Sequence, residues 1–338
     1  MSCLEKPARA AETPAPGRCW PKLEGMPAAE SDFALPLPVI VPPAIYRPRR
    51  LLPAVLFLLT ALSMLVVGAR MQYNFDRVRP PFRTFNDVLP FLWAWRHPGM
   101  LLLGAPFCAT LLAILLAHEL GHYIACLHYG MAASLPYFLP APTLLGTLGA
   151  FIRIHSPFPS RRALIDVGIA GPLAGFAIAA PCFWLGLRES FLRPFPAAAA
   201  GLNFGWPAAA RLLLPLAQPG VAAGQLYLSP VARAAWFGFL ATMLNLIPAG
   251  QLDGGHILYA VAPRLHRWVS WLLAPALALA GWRYWQGWYI WAGFVLLMQG
   301  RHPGVPYGPP LGRRRRALVV AGAIILAITF TIVPVRVG

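Results

Sequence analysis

The sequence predicts an all-α polytopic membrane protein, and its composition and apolar runs carry that prediction. The 338 residues are 58% hydrophobic and only 12% charged, which is far more apolar than a soluble globular domain. Several runs reach the roughly 20 apolar residues that a helix needs to cross a bilayer. The net charge of +17 comes mostly from arginines in connecting segments, so it indicates topology and attraction to lipid headgroups, and no nucleic-acid partner is expected.

The apolar runs predict about six to seven transmembrane helices. In chain order they cover residues 51–69, 100–127, 163–187, 234–261, 268–281, 286–297 and 317–335. Arg283 separates the fifth and sixth runs, which are either two tilted helices or one hairpin. Residues 188–233 predict a loop of moderate hydrophobicity, for which an interfacial helix is one interpretation.

The second run carries the pattern His-Glu-x-x-His at His118, Glu119 and His122. Positions i and i+4 share a helix face, so both imidazoles can face one metal ion. In soluble metalloproteases the glutamate of this pattern is the general base, and zinc lowers the pKa of the attacking water. The alternative is a polar helix face packed in a bundle, but a carboxylate between two imidazoles in hydrocarbon is costly without a metal or partners.

Asp253 is the best candidate for a third metal ligand. It is the only acid between Glu189 and the C-terminus, in a run otherwise fit to span the membrane, and such an acid is expected to have a partner. The alternative is an aspartate that caps the next helix. Asn245 lies nearby, and it either binds a substrate carbonyl or an oxyanion or bonds to another helix.

Residues 128–159 do not read as a plain helix, because Pro136, Pro140 and Pro142 interrupt them. Residues 144–154, which include Gly146 and Gly149, are rich in small and β-branched residues and predict a short hairpin or a re-entrant segment. In the third run, Gly171 and Gly175 form a small-residue face, which we interpret as a site of close helix packing.

These residues together resemble the site-2 proteases, the intramembrane zinc metalloproteases. The resemblance rests on the segment His118-Glu-Leu-Gly-His122 and on Asn245-Leu-Ile-Pro-Ala-Gly-Gln-Leu-Asp-Gly254, and it extends to residues 146–149 and 166–175. It implies one Zn²⁺ per chain held by His118, His122 and Asp253, with Glu119 as the base. It also implies a three-helix zinc-protease core with a small re-entrant β-hairpin or loop, and substrate contacts that we assign to Asn245, Gly146 and Gly149.

The composition and the apolar runs predict an organisation, in which the resemblance covers the core, and the resemblance implies a function. Residues 1–50 are expected to be a flexible cytoplasmic tail rich in Pro and Ala, residues 51–99 a first transmembrane helix and a polar loop, residues 100–261 the metalloprotease core, and residues 262–338 further transmembrane helices. The expected reaction is hydrolysis of peptide bonds in or near transmembrane segments of other membrane proteins, as in regulated intramembrane proteolysis. No PDZ or CBS domain is expected, so the chain resembles the compact members of the family.

Two other functions stay open from the residues alone. Intramembrane histidines and acids also mark metal transporters and metal-binding sensors, although the chain shows no second copy of either motif, as a transporter repeat would. A catalytically inactive scaffold is the other alternative.

The arginine distribution and the positive-inside rule place residues 1–50 and the block 313–316 in the cytoplasm, with His118, His122 and Asp253 toward that side. A bacterial cytoplasmic membrane is expected, because the first 50 residues are not Ser-rich as plastid transit peptides are.

Overall fold

The structure, a computed structural model, describes residues 50–80, 82, 84–194, 201–298, 304–306 and 310–337. The predicted tail therefore lies, apart from Arg50, outside the described residues. The described chain is predominantly helical. Its helices are α1 (Leu51–Asp76), α2 (Phe85–Val88), α3 (Phe91–Arg96), α4 (Ala105–His128, preceded by a 3-10 helix, Pro98–Gly104), α5 (Arg161–Glu189), α6 (Ala208–Ala217), α7 (Pro230–Asn245), α8 (Asp253–Val261), α9 (Pro263–Arg283), α10 (Gly287–Leu297) and α11 (Arg313–Thr329).

Three helices of the described chain are long and apolar enough to cross a membrane. They are Leu51–Asp76, Pro98–His128 and Arg161–Glu189, with 26, 31 and 29 residues. At about 1.5 Å per residue, each is at least as long as the roughly 30 Å hydrocarbon core of a bilayer. They correspond to the first three predicted spans, so the protein is an integral membrane protein; α1 runs seven residues beyond the predicted end at Ala69.

Small residues allow the central helices to pack closely. An added Cβ at Gly121 of α4 would lie 2.5 Å from the carbonyl oxygen of Ala170 in α5, and one at Gly186 of α5 would lie 2.2 Å from the nitrogen of Ala232 in α7. Backbones that approach this closely gain dispersion contacts, which replace the hydrophobic effect as the driving force between membrane helices. Helices α4, α5 and α7 therefore form the centre of the fold, with α5 packed against both of the others.

The fourth predicted span, residues 234–261, is wrong as a single helix. Helix α7 ends at Asn245, the chain turns, and α8 begins at Asp253. Pro248 has no N–H for a helix, and Gly250 adopts φ +56°, a left-handed conformation that ends helices. The turn lets the chain bring the end of α7 and the start of α8 to the same place.

The last predicted span, residues 317–335, is also too long. Helix α11 ends at Thr329, whose hydroxyl donates to the carbonyl of Ile325 at 2.6 Å. Strand β6 (Val335–Val337) then pairs antiparallel with β4 (Leu202–Phe204). Pro334 precedes β6 and cannot continue a helix. The fifth and sixth runs are two helices, α9 and α10, packed together in a hairpin.

A β-hairpin covers residues 137–151, so it begins before the predicted segment 144–154, which contributes only the turn and the second strand. Strand β1 (Tyr137–Pro140) pairs antiparallel with β2 (Thr147–Phe151), with a bulge beside Leu139. Gly146 in the turn has φ +76°, and an added Cβ there would lie 2.8 Å from the backbone of Ser63 and Met64 in α1. The hairpin is therefore seated on the first spanning helix.

The segment between α5 and α7 carries short elements. Strand β3 (Phe191–Leu192) pairs with β5 (Leu226–Tyr227), and the ten-residue α6 occupies the place for which an interfacial helix was one interpretation.

After α1, hydrogen bonds of Asp87 attach the following loop to α1. Its carboxylate accepts hydrogen bonds from Arg70 at 2.8 Å, Asn74 at 2.8 Å and the backbone N–H of Thr84 at 2.9 Å. Burial opposes the charged form, but these hydrogen bonds hold the pKa of the Asp87 carboxyl below its ordinary value.

Candidate metal centre

Three ligand atoms from two distant parts of the chain meet in the interior. Nε2 of His118 lies 3.1 Å from Nε2 of His122, and Oδ2 of Asp253 lies 3.3 Å from each of them. Both histidines are buried, and Asp253 is largely buried. The structure thus brings together the three residues that the sequence predicts as ligands, although Asp253 lies 131 positions after His122 in the chain.

Helix α5 has glycines where the two imidazoles pack against it. An added Cβ at Gly171 of α5 would lie 2.1 Å from Nε2 of His122, and one at Gly175 would lie 3.2 Å from Cβ of His118. At Gly168, one turn earlier, an added Cβ would lie 3.3 Å from the carbonyl oxygen of Asp253. The small-residue face interpreted as a helix-packing site therefore packs against the imidazoles themselves, and no larger residue fits at Gly171.

The three atoms fit a zinc ion. His122 Nδ1 lies 2.8 Å from the carbonyl oxygen of Val167 and donates its proton there, so its Nε2 presents a lone pair. Oδ2 of Asp253 is also buried and without a hydrogen-bond partner among the described residues, as expected of an atom that is free to bind a metal ion. Ligands of a tetrahedral zinc with bonds of about 2.0–2.1 Å lie about 3.3 Å apart, which matches the observed triangle. Two imidazoles and a carboxylate are also a common ligand set of catalytic zinc.

Glu119 faces the same interior space. It is buried, and the backbone N–H of Ile152, just after β2, donates a hydrogen bond to its carboxylate. It lines a cavity of about 210 Å³. The cavity is also lined by the three candidate ligands, by Ala150, Phe151, Ile152 and Ile154 of the hairpin and its continuation, and by Val167, Gly168, Asn245, Gln251, Leu252 and His256. A group in this cavity would therefore meet the metal centre, a carboxylate and the edge of a strand.

The remaining predicted site residues lie at different distances from the centre. Asn245 is the last residue of α7, and its Nδ2 lies 3.3 Å from Nε2 of His118. Gly149 belongs to β2, one residue before Ala150 of the cavity wall. Gly146 packs against α1 in the hairpin turn, so its contact is with the scaffold.

Helix α9 holds the turn that carries Asp253, and no pattern in the sequence predicts these contacts. Gly250 donates its N–H to Oγ of Ser270 at 3.1 Å, and Nε2 of His266 donates to the carbonyl of Gly250 at 2.9 Å. Gly254 and Gly255 pack closely against the same turn, because an added Cβ would lie 2.0 Å from the carbonyl oxygen of Leu246 and 2.5 Å from that of Gly250, respectively. The backbone that presents Asp253 is therefore held by hydrogen bonds from α9 and by close packing within the turn.

Comparison with known proteins identifies relatives of this core. The model of "Peptidase family M50" matches residues 106–270. The chain is 35% identical over 219 residues to "Probable zinc metalloprotease EGY1, chloroplastic" of Arabidopsis thaliana, covering 60% of this chain and 38% of that protein. It is 32% identical over 196 residues to "Probable zinc metalloprotease EGY2, chloroplastic" of the same plant, covering 53% and 32%. The chain thus spans less than two fifths of the length of these relatives.

The small-residue face of α5, formed by Gly171 and Gly175, gives a prediction for metal binding. In Gly171→Ala, the added methyl group would overlap the imidazole of His122, so the ring must leave its position. We expect zinc affinity to fall roughly tenfold to a hundredfold, as when other groups that orient a ligand are changed. Competition with a chelator of known affinity measures it on detergent-purified protein.

The matched control is Gly293→Ala in α10, where an added Cβ meets nothing within 4 Å. It should bind zinc as the wild type does. Wild-type zinc affinity in a folded Gly171→Ala protein would contradict the assignment.

Proposed function

Because this chain belongs to peptidase family M50, the site-2 protease family, through residues 106–270, we propose that it is an intramembrane zinc metalloprotease. The proposed reaction is hydrolysis of peptide bonds in or near transmembrane segments of other membrane proteins, as in regulated intramembrane proteolysis. The observation that carries the proposal is the convergence of His118, His122, Asp253 and Glu119 on one cavity. The relatives' names support a zinc metalloprotease.

In this proposal His118, His122 and Asp253 hold one zinc ion per chain. When bound, zinc polarises the scissile carbonyl and makes a water molecule acidic enough to attack at neutral pH. Val167 holds His122 in the tautomer that ligation requires. The amide of Asn245, whose Nδ2 lies 3.3 Å from Nε2 of His118, would bind the substrate carbonyl or its oxyanion.

Glu119 moves the proton. Its carboxylate takes a proton from the attacking water as the water oxygen bonds to the carbonyl carbon, and delivers it to the amine nitrogen as the C–N bond breaks. The N–H of Ile152 fixes the carboxylate in the cavity wall. One residue thus serves as base and then as acid, and the products are a carboxylate and an amine.

The hairpin supplies a place for the substrate. A peptide bond inside a helix is protected by its internal hydrogen bonds, so the segment must first unwind. Backbone groups alternate along a strand. The N–H of Arg153 bonds back to Ser134, whereas that of Ile152 points to Glu119 in the cavity wall. By this alternation the N–H and C=O of Ala150 face the open edge of β2, where an extended substrate would pair by β-augmentation, alongside Gly149.

The finer membrane topology is also part of the proposal. Helices α7, α9 and α11, of 16, 21 and 17 residues, would bring the three long spans to six, and α10 would be a seventh, in line with the proposed six to seven transmembrane helices. We retain residues 1–50 as a cytoplasmic tail, 51–99 as the first span and loop, 100–261 as the core and 262–338 as the C-terminal helices. The active site would lie toward the cytoplasmic side of a bacterial membrane.

Exchange of the proposed base tests the catalytic assignment. Glu119→Gln keeps the shape of the side chain but cannot accept a proton, so zinc content should stay near wild type while turnover falls about 10²- to 10⁴-fold. Both proteins are reconstituted into vesicles with a library of single-span membrane proteins, and mass spectrometry identifies new chain termini.

Glu189→Gln, the same change at an exposed glutamate at the far end of α5, is the control and should cleave normally. Wild-type cleavage by Glu119→Gln would refute Glu119 as the base. Zinc transport by the wild type without any new termini would favour the transporter alternative.

A proline at the strand edge tests substrate pairing. Ala150→Pro removes one outward-facing N–H while leaving the hydrogen bonds between β1 and β2 in place, since edge strands tolerate proline where the N–H faces outward. Cleavage of a transmembrane substrate should fall at least about tenfold, the cost of roughly one lost hydrogen bond with its displaced partner, and zinc content should not change.

Ala150→Val introduces a side chain of about the size of proline but keeps the backbone N–H, so this variant should retain most of the activity. Equal cleavage by the proline and valine variants would show that the edge of β2 does not pair with the substrate.

A further inference from the structure

Six arginines gather at one end of the molecule. Arg161 and Arg162 begin α5, and residues 313–316 begin α11. The starts of the two helices lie side by side, because Leu311 and Val319 pack in the same cluster as Leu164, and a guanidinium nitrogen of Arg162 donates to the carbonyl of Pro310 at 3.3 Å. We call these six residues the arginine cluster.

One member of the arginine cluster is neutralised. Arg315 donates to Oδ2 of Asp166 at 2.7 Å and to the hydroxyl of Tyr129 at 3.0 Å. Asp166 is thereby engaged by Arg315. Arg313, Arg314 and Arg316 are exposed. Nε of Arg162 is buried and has no hydrogen-bond partner within the described part of the chain.

The placement of the arginine cluster beside two helix N-termini is electrostatically unfavourable within the protein itself. Both helices point their N-termini, the positive ends of their dipoles, toward the cluster. Neither helix has an acidic residue in its first turn. The charges of Arg162, Arg313, Arg314 and Arg316 therefore add to two positive helix ends, and the like charges repel one another. An anion placed among them would relieve both effects at once.

The position in the membrane indicates which anion this is. Helix α5 is one of the spanning helices, and its apolar run begins at Ala163, directly after Arg162. The arginine cluster therefore lies where the hydrocarbon core gives way to headgroups. Phosphate is the anion concentrated at that depth, and the guanidinium fork matches its oxygens in bidentate geometry.

We propose that the arginine cluster is a binding site for the phosphate group of an anionic membrane lipid. Arg313, Arg314 and Arg316 supply the exposed donors, and the half-buried guanidinium of Arg162 adds its charge beside them. Arg315 keeps α11 against α5 through Asp166, so the site exists before the lipid arrives. The role of the cluster thus goes beyond setting topology during insertion, which needs the charges on one side but no bound lipid.

Lipid selectivity of the full chain tests this proposal. The protein is reconstituted in nanodiscs of equal parts phosphatidylglycerol and phosphatidylcholine, and native mass spectrometry counts the lipids that stay bound. We expect the wild type to retain phosphatidylglycerol in preference to phosphatidylcholine. The triple variant R313Q/R314Q/R316Q should lose at least about tenfold of that preference, because each basic residue near the surface attracts anionic lipid about fivefold.

The matched control is R188Q/R211Q/R336Q, which removes the same charge from three exposed arginines. Arg188 lies at the opposite end of α5, and Arg336 lies beyond the opposite end of α11. The control should keep the wild-type preference. An equal loss in both triple variants would mean diffuse attraction by net charge and would overturn the proposal, as would an unchanged preference in R313Q/R314Q/R316Q.

A second arm distinguishes lipid from soluble phosphate. Lipid-free protein in detergent is titrated with inorganic phosphate. Binding at the cluster comparable to that of phosphatidylglycerol would assign the site to a soluble anion and contradict the lipid proposal. Absence of phosphate binding together with the lipid preference would support it.

Discussion

The centre of this protein depends on one electrostatic constraint. Two imidazoles and a carboxylate meet within 3.1–3.3 Å of one another in a buried place, and such a group is unfavourable unless a cation lies among them. The rest of the core follows from that requirement. Helix α5 has glycines at positions 171 and 175, which leave space for the two imidazole rings. The carbonyl of Val167 in the same helix accepts the Nδ1 proton of His122, so the lone pair on Nε2 of that ring is free.

The break between α7 and α8 belongs to the same logic. A continuous helix over residues 234–261 would carry Asn245 and Asp253 about 12 Å apart along its axis, at about 1.5 Å per residue. The turn instead returns the chain so that both residues line one cavity. The contacts of His266 and Ser270 with Gly250 show how the returning backbone is fixed. Non-helical backbone at this depth is tolerated because protein groups satisfy its N–H and C=O groups.

Much of the site could be predicted from the sequence, because ionisable residues stand out in apolar runs. His118 and His122 follow from helical spacing, and Asp253 from being the one acid of its region. The break before Asp253 was missed because apolarity continues through it, and hydropathy does not register the backbone geometry of Pro248 and Gly250. The groups that orient the site, the carbonyl of Val167 and the N–H of Ile152, are backbone atoms, which no side-chain pattern reveals.

The most direct test of this account is the zinc content of the purified chain in wild type and in Asp253→Ala. The account predicts about one zinc per wild-type chain and its near-complete loss in the variant, with both proteins folded, since removal of one of three ligands opens the site. Such a result would join α4 and α8 at a single metal centre. Equal zinc in the two proteins would show that Asp253 is not a ligand, and a folded wild type without zinc, purified without chelator, would contradict the metal centre itself.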